Sequence, residues 1–118
     1  MYVQGFLIAV PESKKDAYTK MARDAAEAFK RYGVLEIVEA WEDDVTDGKV
    51  TDFRMATKAE PGEKIVFSWM IWPDRETYQA SGEKMQSDPF FEQMGEMPFD
   101  GMRMMWGGFT PIFTMGRD

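Results

Sequence analysis

Lys64-Ile65-Val66-Phe67-Ser68-Trp69-Met70-Ile71-Trp72 is the stretch on which the fold turns. β-Branched and aromatic side chains fill it and Pro73 stops it, so it reads as a strand. Successive side chains of a strand point to opposite faces. Ile65, Phe67, Trp69 and Ile71 therefore share one face, and Val66, Ser68, Met70 and Trp72 share the other. Both rows are apolar apart from Ser68. A sheet with one wet face alternates polar with apolar residues, so this strand predicts a sheet covered on both sides. Residues 2–10 make the same demand: Phe6 to Val10 is apolar on both parities, and Pro11 ends the run.

The flanking segments supply the other elements. Pro11 and a candidate N-cap at Ser13, with Asp16 three residues on, open a helix over 14–32. Its apolar stripe is Ala17, Tyr18, Met21, Ala25, Phe29 and Tyr32, at spacings of three and four. Lys30 and Arg31 suit its negative end, and Gly33 supplies the left-handed stop. Residues 34–42 form a second strand. The connection over 43–63 holds Asp-Gly at 47–48 and Pro-Gly at 61–62, with a short helical turn near 53–58; connections of this length inside a domain are often functional. Asp74 caps a helix over 75–87 whose apolar face, Tyr78, Gly82 and Met85, is the weaker of the two. Asp88-Pro89 breaks it, residues 89–94 add one more turn, and Met97-Pro98-Phe99-Asp100-Gly101 is a tight turn. Met102 to Phe113 is a last strand, interrupted by Gly107-Gly108 and Pro111.

The order strand, helix, strand, strand, helix, strand predicts one α+β domain over residues 1–118. It is a ferredoxin-like βαββαβ sandwich, an antiparallel sheet with two helices on one face. Two helices cover only one side of such a sheet. A second copy of the chain is the economical cover for the other, so a homodimer is expected, with Trp69 or Trp72 close to the contact.

Composition bounds the chemistry. The chain has no cysteine, no histidine and no asparagine. Disulfides, thiol catalysis, Ser-His-Asp triads, His-ligated haem and ordinary zinc sites are excluded together. Proton transfer near neutral pH falls to a Glu or Asp with a raised pKa, or to a Lys or Tyr with a lowered one. A net charge of −7 repels a phosphate backbone, and the basic stretch from Lys14 to Arg23 is broken by Asp16. No apolar run approaches the roughly 20 residues of a membrane span. The expectation is a cytoplasmic protein with no nucleic-acid partner, no membrane association, no metal and no cofactor.

Candidate pocket residues are Asp100, Arg103, Trp106, Trp69 and Glu36. Asp100 and Arg103 either lock the turn against the sheet or rim a pocket with Trp106 as an apolar wall. The four tryptophans read as core and interface aromatics or as ligand platforms. The eleven methionines read as adaptable core filler. Glu36, Glu39 and Glu42 lie on one strand, with Glu39 on the opposite face from the other two. Glu36 on an apolar sheet face would have to be paired or shifted in pKa.

Met1-Tyr2-Val3 with Gly5-Phe6, Gly33 to Glu39, Gly48-Lys49-Val50, Val66-Phe67-Ser68-Trp69, and above all Met97 to Gly101 continuing through Arg103-Met104 to Gly107-Gly108-Phe109, resemble the YbaA-like family of uncharacterised bacterial proteins. The resemblance spans nearly the whole chain and implies a dimeric α+β barrel. Relatives on that fold include small monooxygenases, haem-degrading enzymes and ligand-binding stress proteins, so fold alone does not select the function. The leading expectation is a small-molecule-binding or stress-related barrel. The alternatives are a cofactor-independent, monooxygenase-like enzyme and a structural or protein-interaction module. A closed apolar cavity with one convergent charge favours the enzyme. An open pocket with no perturbed titratable group favours the binder, and a filled barrel favours the third class.

Overall fold

β3, Glu63–Trp72, lies between two antiparallel neighbours in a four-stranded sheet. The computed structural model describes residues 1–117. β1 (Tyr2–Pro11), β2 (Glu36–Trp41) and β4 (Met105–Phe109) complete the sheet in the order β2-β3-β1-β4. All its pairings are antiparallel, with Phe6 opposite Ser68, Glu39 opposite Ser68 and Phe6 opposite Trp106. Strand parity then sorts the side chains as expected. Val66, Ser68, Met70 and Trp72 share a face with Phe6, Ile8, Ile37, Glu39 and Trp106, while Phe67, Trp69, Ile71, Leu7 and Glu36 occupy the reverse.

Helices α1 (Lys15–Tyr32) and α3 (Arg75–Ser87) cover the first face. Phe29 of α1 and Tyr78 of α3 both meet the Trp72 ring edge-on, at 6.4 and 6.2 Å between centroids. Gly33 ends α1 at φ +107°, and a Cβ there would sit 2.9 Å from Thr77 Cγ2, so both conformation and space require glycine. The cap expected of Ser13 does not form. Residues Glu12–Lys14 make a 3-10 turn instead, and α1 starts behind it without a side-chain cap. Asp74 does cap α3, accepting from Thr77 N at 2.7 Å.

α2 (Phe53–Thr57), capped by Asp52, occupies the long connection, where Phe53 meets Phe67 edge-on at 6.1 Å on the reverse face. α4 (Pro89–Gln93) follows α3. The last strand is shorter than its composition suggests: residues 101–103 form a 3-10 turn, and pairing stops at Phe109 ahead of Pro111. No helix among the described residues is long and apolar enough to cross a membrane.

Candidate functional site

Two core clusters form between helices and sheet. One joins Ala28, Phe29, Tyr32, Met70 and Trp72; the other joins Ile8, Val10, Tyr18 and Val66. Between them the layers do not close. A cavity of about 500 Å³ remains, bounded by Phe29 and Met70 of the first cluster and by Ile8 and Tyr18 of the second. Met21, Met70, Met85, Met94, Met97 and Met104 line it, six of the chain's eleven methionines. Phe6, Phe91, Phe99, Tyr78 and Trp106 add aromatic surface.

Against this apolar wall the polar groups are few. Glu39 carries the only formal charge among the described lining residues. β2 delivers it to the helix-facing side because it lies opposite Ser68 in the ladder. Tyr18, on the buried stripe of α1, donates its hydroxyl to Glu39 Oε1 at 2.7 Å, and the buried Ser68 lies opposite Glu39 on the neighbouring strand. Glu39 is exposed as a residue, and its carboxyl is partly dehydrated at the cavity edge, where Tyr18 meets it. Loss of hydration there raises the carboxyl above the usual range, against the opposing pull of the two hydroxyls. Burial, followed by the charge of Glu39, likewise holds the Tyr18 phenol protonated beyond its ordinary pKa. Among the described residues no cation forms an ion pair with Glu39. The site therefore offers a partly dehydrated carboxyl group, two neighbouring hydroxyls and a deformable apolar wall.

The residues singled out from sequence are dispersed. Trp106 lines the cavity and is 59% exposed. Asp100 and Arg103 pair at 3.0 Å but do not line it. Arg103 instead forks onto Glu63, with both nitrogens at 2.8 Å, and donates to the Lys58 carbonyl at 2.9 Å. This clamp joins the turn over 100–103 to the start of β3 and the end of α2. Trp69 and Glu36 lie on the reverse face. Trp69 Nε1 donates to Glu36 Oε2 at 2.8 Å, and Arg117 approaches the same oxygen at 3.2 Å. Those bonds lower the Glu36 pKa, so it is Glu39 that carries the raised one. Glu42 has a backbone task, accepting from Ile65 N and pairing with Arg54.

Glu39 and Tyr18 were not singled out from the sequence, although two signals pointed to them. Ser68 is the one polar break in the helix-facing row of β3, and Glu39 is the one acidic residue of β2 on that same side. Two polar interruptions that meet across a ladder mark a shared polar site. Tyr18 sits in the helical stripe that must face it.

Solved structures carry the same architecture. A dimeric ferredoxin-like protein from an uncultured marine organism superposes with TM-score 0.64 at 10% identity, over 99% of this chain and 100% of that one. A mutant of MhuD, crystallised with two manganese protoporphyrin IX bound per active site, gives TM-score 0.64 at 16% identity over the same shares. At those identities the likeness is one of fold. Sequence similarity is much closer to the Uncharacterized protein YbaA of Escherichia coli strain K12, at 58% identity over 112 residues, 94% of this chain and 96% of that protein. The YbaA of Shigella flexneri matches equally. Residues 1–101 match the model of the family described as protein of unknown function (DUF1428), and the chain belongs to that family.

Proposed function

We propose that this protein binds a small, largely apolar molecule in the cavity between the sheet and helices α1 and α3. The observation that supports this reading is the cavity itself: about 500 Å³, walled by methionines and aromatic rings, with a few convergent polar groups. A purely structural module has no use for an unfilled interior, since empty space between packed layers forfeits dispersion and burial energy. The porphyrin of the MhuD structure is not carried over, because at 16% identity the likeness is one of fold.

The test is Nile red, a neutral apolar dye, titrated into the wild type and into Gly82→Phe. Gly82 lines the cavity, and a Cβ there meets nothing within 4 Å, so the new ring has room to occupy the site without breaking α3. Saturable blue-shifted fluorescence with the wild type, weakened in a folded Gly82→Phe, is the expected result. Equal dye response from both proteins would remove the cavity from consideration.

By the criteria read from the sequence, one convergent carboxyl with a raised pKa points away from a plain binder. It favours a second reading, a cofactor-independent enzyme in which this carboxylate takes a proton from the bound molecule. Turnover that disappears in Glu39→Gln while binding persists would carry that reading over the first.

We also propose that two copies pair through the reverse face of the sheet. Phe67, Met105 and Phe109 are 49%, 38% and 61% exposed there, which makes a continuous apolar patch with Leu7 and Trp69. A structural neighbour on this fold is itself described as dimeric. Trp69 then lies at the contact, whereas Trp72 belongs to the core of one chain.

A further inference from the structure

The charge pattern of the cavity limits what it takes. Resting on the reading of that cavity as a ligand site, we propose that its ligand is a lipophilic molecule bearing a single protonated amine, which sets its ammonium on Glu39 and its apolar body along the methionine wall. A carboxylate offers about four lone-pair positions; Tyr18 donates to one, and the Ser68 hydroxyl stands beside it. Both hydroxyls are neutral. A partly dehydrated carboxylate without a counter-charge is unfavourable, and a cation of the right reach completes it. An anionic ligand meets the opposite situation. No lysine or arginine stands among the described lining residues to receive it, and it would add a second negative charge at low dielectric. Lys14 and Lys20 line a neighbouring depression that shares Met21, Met94 and Met97 with the cavity wall, and neither lines the cavity itself.

Two further features point the same way. Tyr18, Phe99 and Trp106 line the site, and aromatic rings attract cations to their faces. The whole chain carries a net charge of −7, which draws cations toward any opening and repels anions. The unbranched methionine side chains adapt to varied shapes, so charge rather than outline sets the ligand class.

Three probes with one aromatic body separate the cases: 1-naphthylmethylamine, 1-naphthalenemethanol and 1-naphthoic acid, titrated calorimetrically into the full chain at neutral pH. The expected order is amine, then alcohol, then acid, with the amine about tenfold or more tighter than the alcohol. In Glu39→Gln the amine and alcohol should fall within about threefold of each other, while Nile red binding persists and reports that the variant is folded. Tyr18→Phe keeps the carboxylate and should keep the amine preference, a second reading should Glu39→Gln fail to fold. The proposal is overturned if the alcohol or acid binds the wild type as tightly as the amine, or if the preference survives in Glu39→Gln. Nile red bound without amine preference sinks this inference alone. No response to Nile red or to any naphthyl probe sinks the ligand-site reading beneath it.

Discussion

Glu39 is a carboxyl group on the edge of an apolar cavity with the Tyr18 hydroxyl as its partner, and the pH dependence of folding carries its signature. Its folded pKa is raised, so the native protein holds this proton to higher pH than the unfolded chain does. Between the ordinary glutamate value and the raised folded value, the unfolded state loses the proton first, and stability falls as pH rises. Below that window the group contributes nothing; above it the penalty is complete. Glu39→Gln should therefore match the wild type below the ordinary glutamate pKa and exceed it increasingly as pH rises above that value, as urea denaturation over a pH series would read. Glu63, Asp88 and Asp100 act in the opposite sense. Their folded values are lowered, chiefly by Arg103, Tyr32 and Arg103 respectively, so their contributions are present above the ordinary carboxylate range and are lost as pH falls through the folded values. That background is common to both proteins, so the difference between them isolates Glu39. A Glu39→Gln variant less stable at neutral pH would contradict the dehydrated-carboxyl description.

Arg103 belongs to the same scale. Its side chain is 17% exposed and that of Glu63 8%, so removing the guanidinium strands a mostly buried carboxylate. Arg103→Met should cost about 2 kcal/mol, below the figure for a fully buried pair because some water reaches the arginine. Binding of Nile red should be unchanged, because Arg103 does not line the cavity. The three-residue spacing from Asp100 made that pair legible in the sequence. Its partner Glu63 was not legible, since it is 40 residues away and meets Arg103 only once β4 lies on the opposite side of β1 from β3.

Among the elements, β1 and β3 were readable because parity is a local rule: once a run is a strand, its two rows follow. The absence of a wet row on β3 likewise raised the expectation that both faces are covered. The helices cover one; Phe67 and Phe109 on the other are 49% and 61% exposed, which leaves that face to the proposed pairing. Parity does not say which row borders a void, however, because a void is set by how far the helices stand from the sheet. The methionines show the same limit. As composition they read as filler, and their gathering around one cavity emerges only when α1, α3, α4 and the turn over 97–104 converge. Helix α3 offers a test of how the site is built. Its weak apolar face includes Gly82, which is helical and spatially unconstrained, so Gly82→Ala should stabilise the protein by about 0.5–1 kcal/mol. Gly33→Ala should destabilise it by a comparable or larger amount, because φ is +107° and Thr77 blocks the added carbon. Thermal denaturation of both variants checks the pair. Equal effects of one sign would mean that α3 does not pack against the end of α1 as described.

At the scale of the whole molecule, the two sheet faces have different tasks. One encloses the cavity beneath its helices, and the other presents Phe67, Trp69 and Phe109 outward. Light scattering at micromolar concentration should give twice the 13.6 kDa chain mass, and Phe67→Glu should give the single-chain mass while leaving Nile red binding intact. A wild-type mass of one chain would contradict the paired arrangement.

The central claim, that the cavity is the ligand site, is tested most directly by methyl NMR of the protein labelled at its methionine methyl groups. Met21, Met70, Met85, Met94, Met97 and Met104 line the cavity, whereas Met1, Met55, Met102, Met105 and Met115 do not. Titration with 1-naphthylmethylamine should shift the first set and leave the second in place, and dilution across the dimer dissociation range should do the reverse for Met105 on the opposite face. Shifts confined to Met1 and Met105, or spread evenly over all eleven, would mean that the molecule binds elsewhere and that the cavity is not its site.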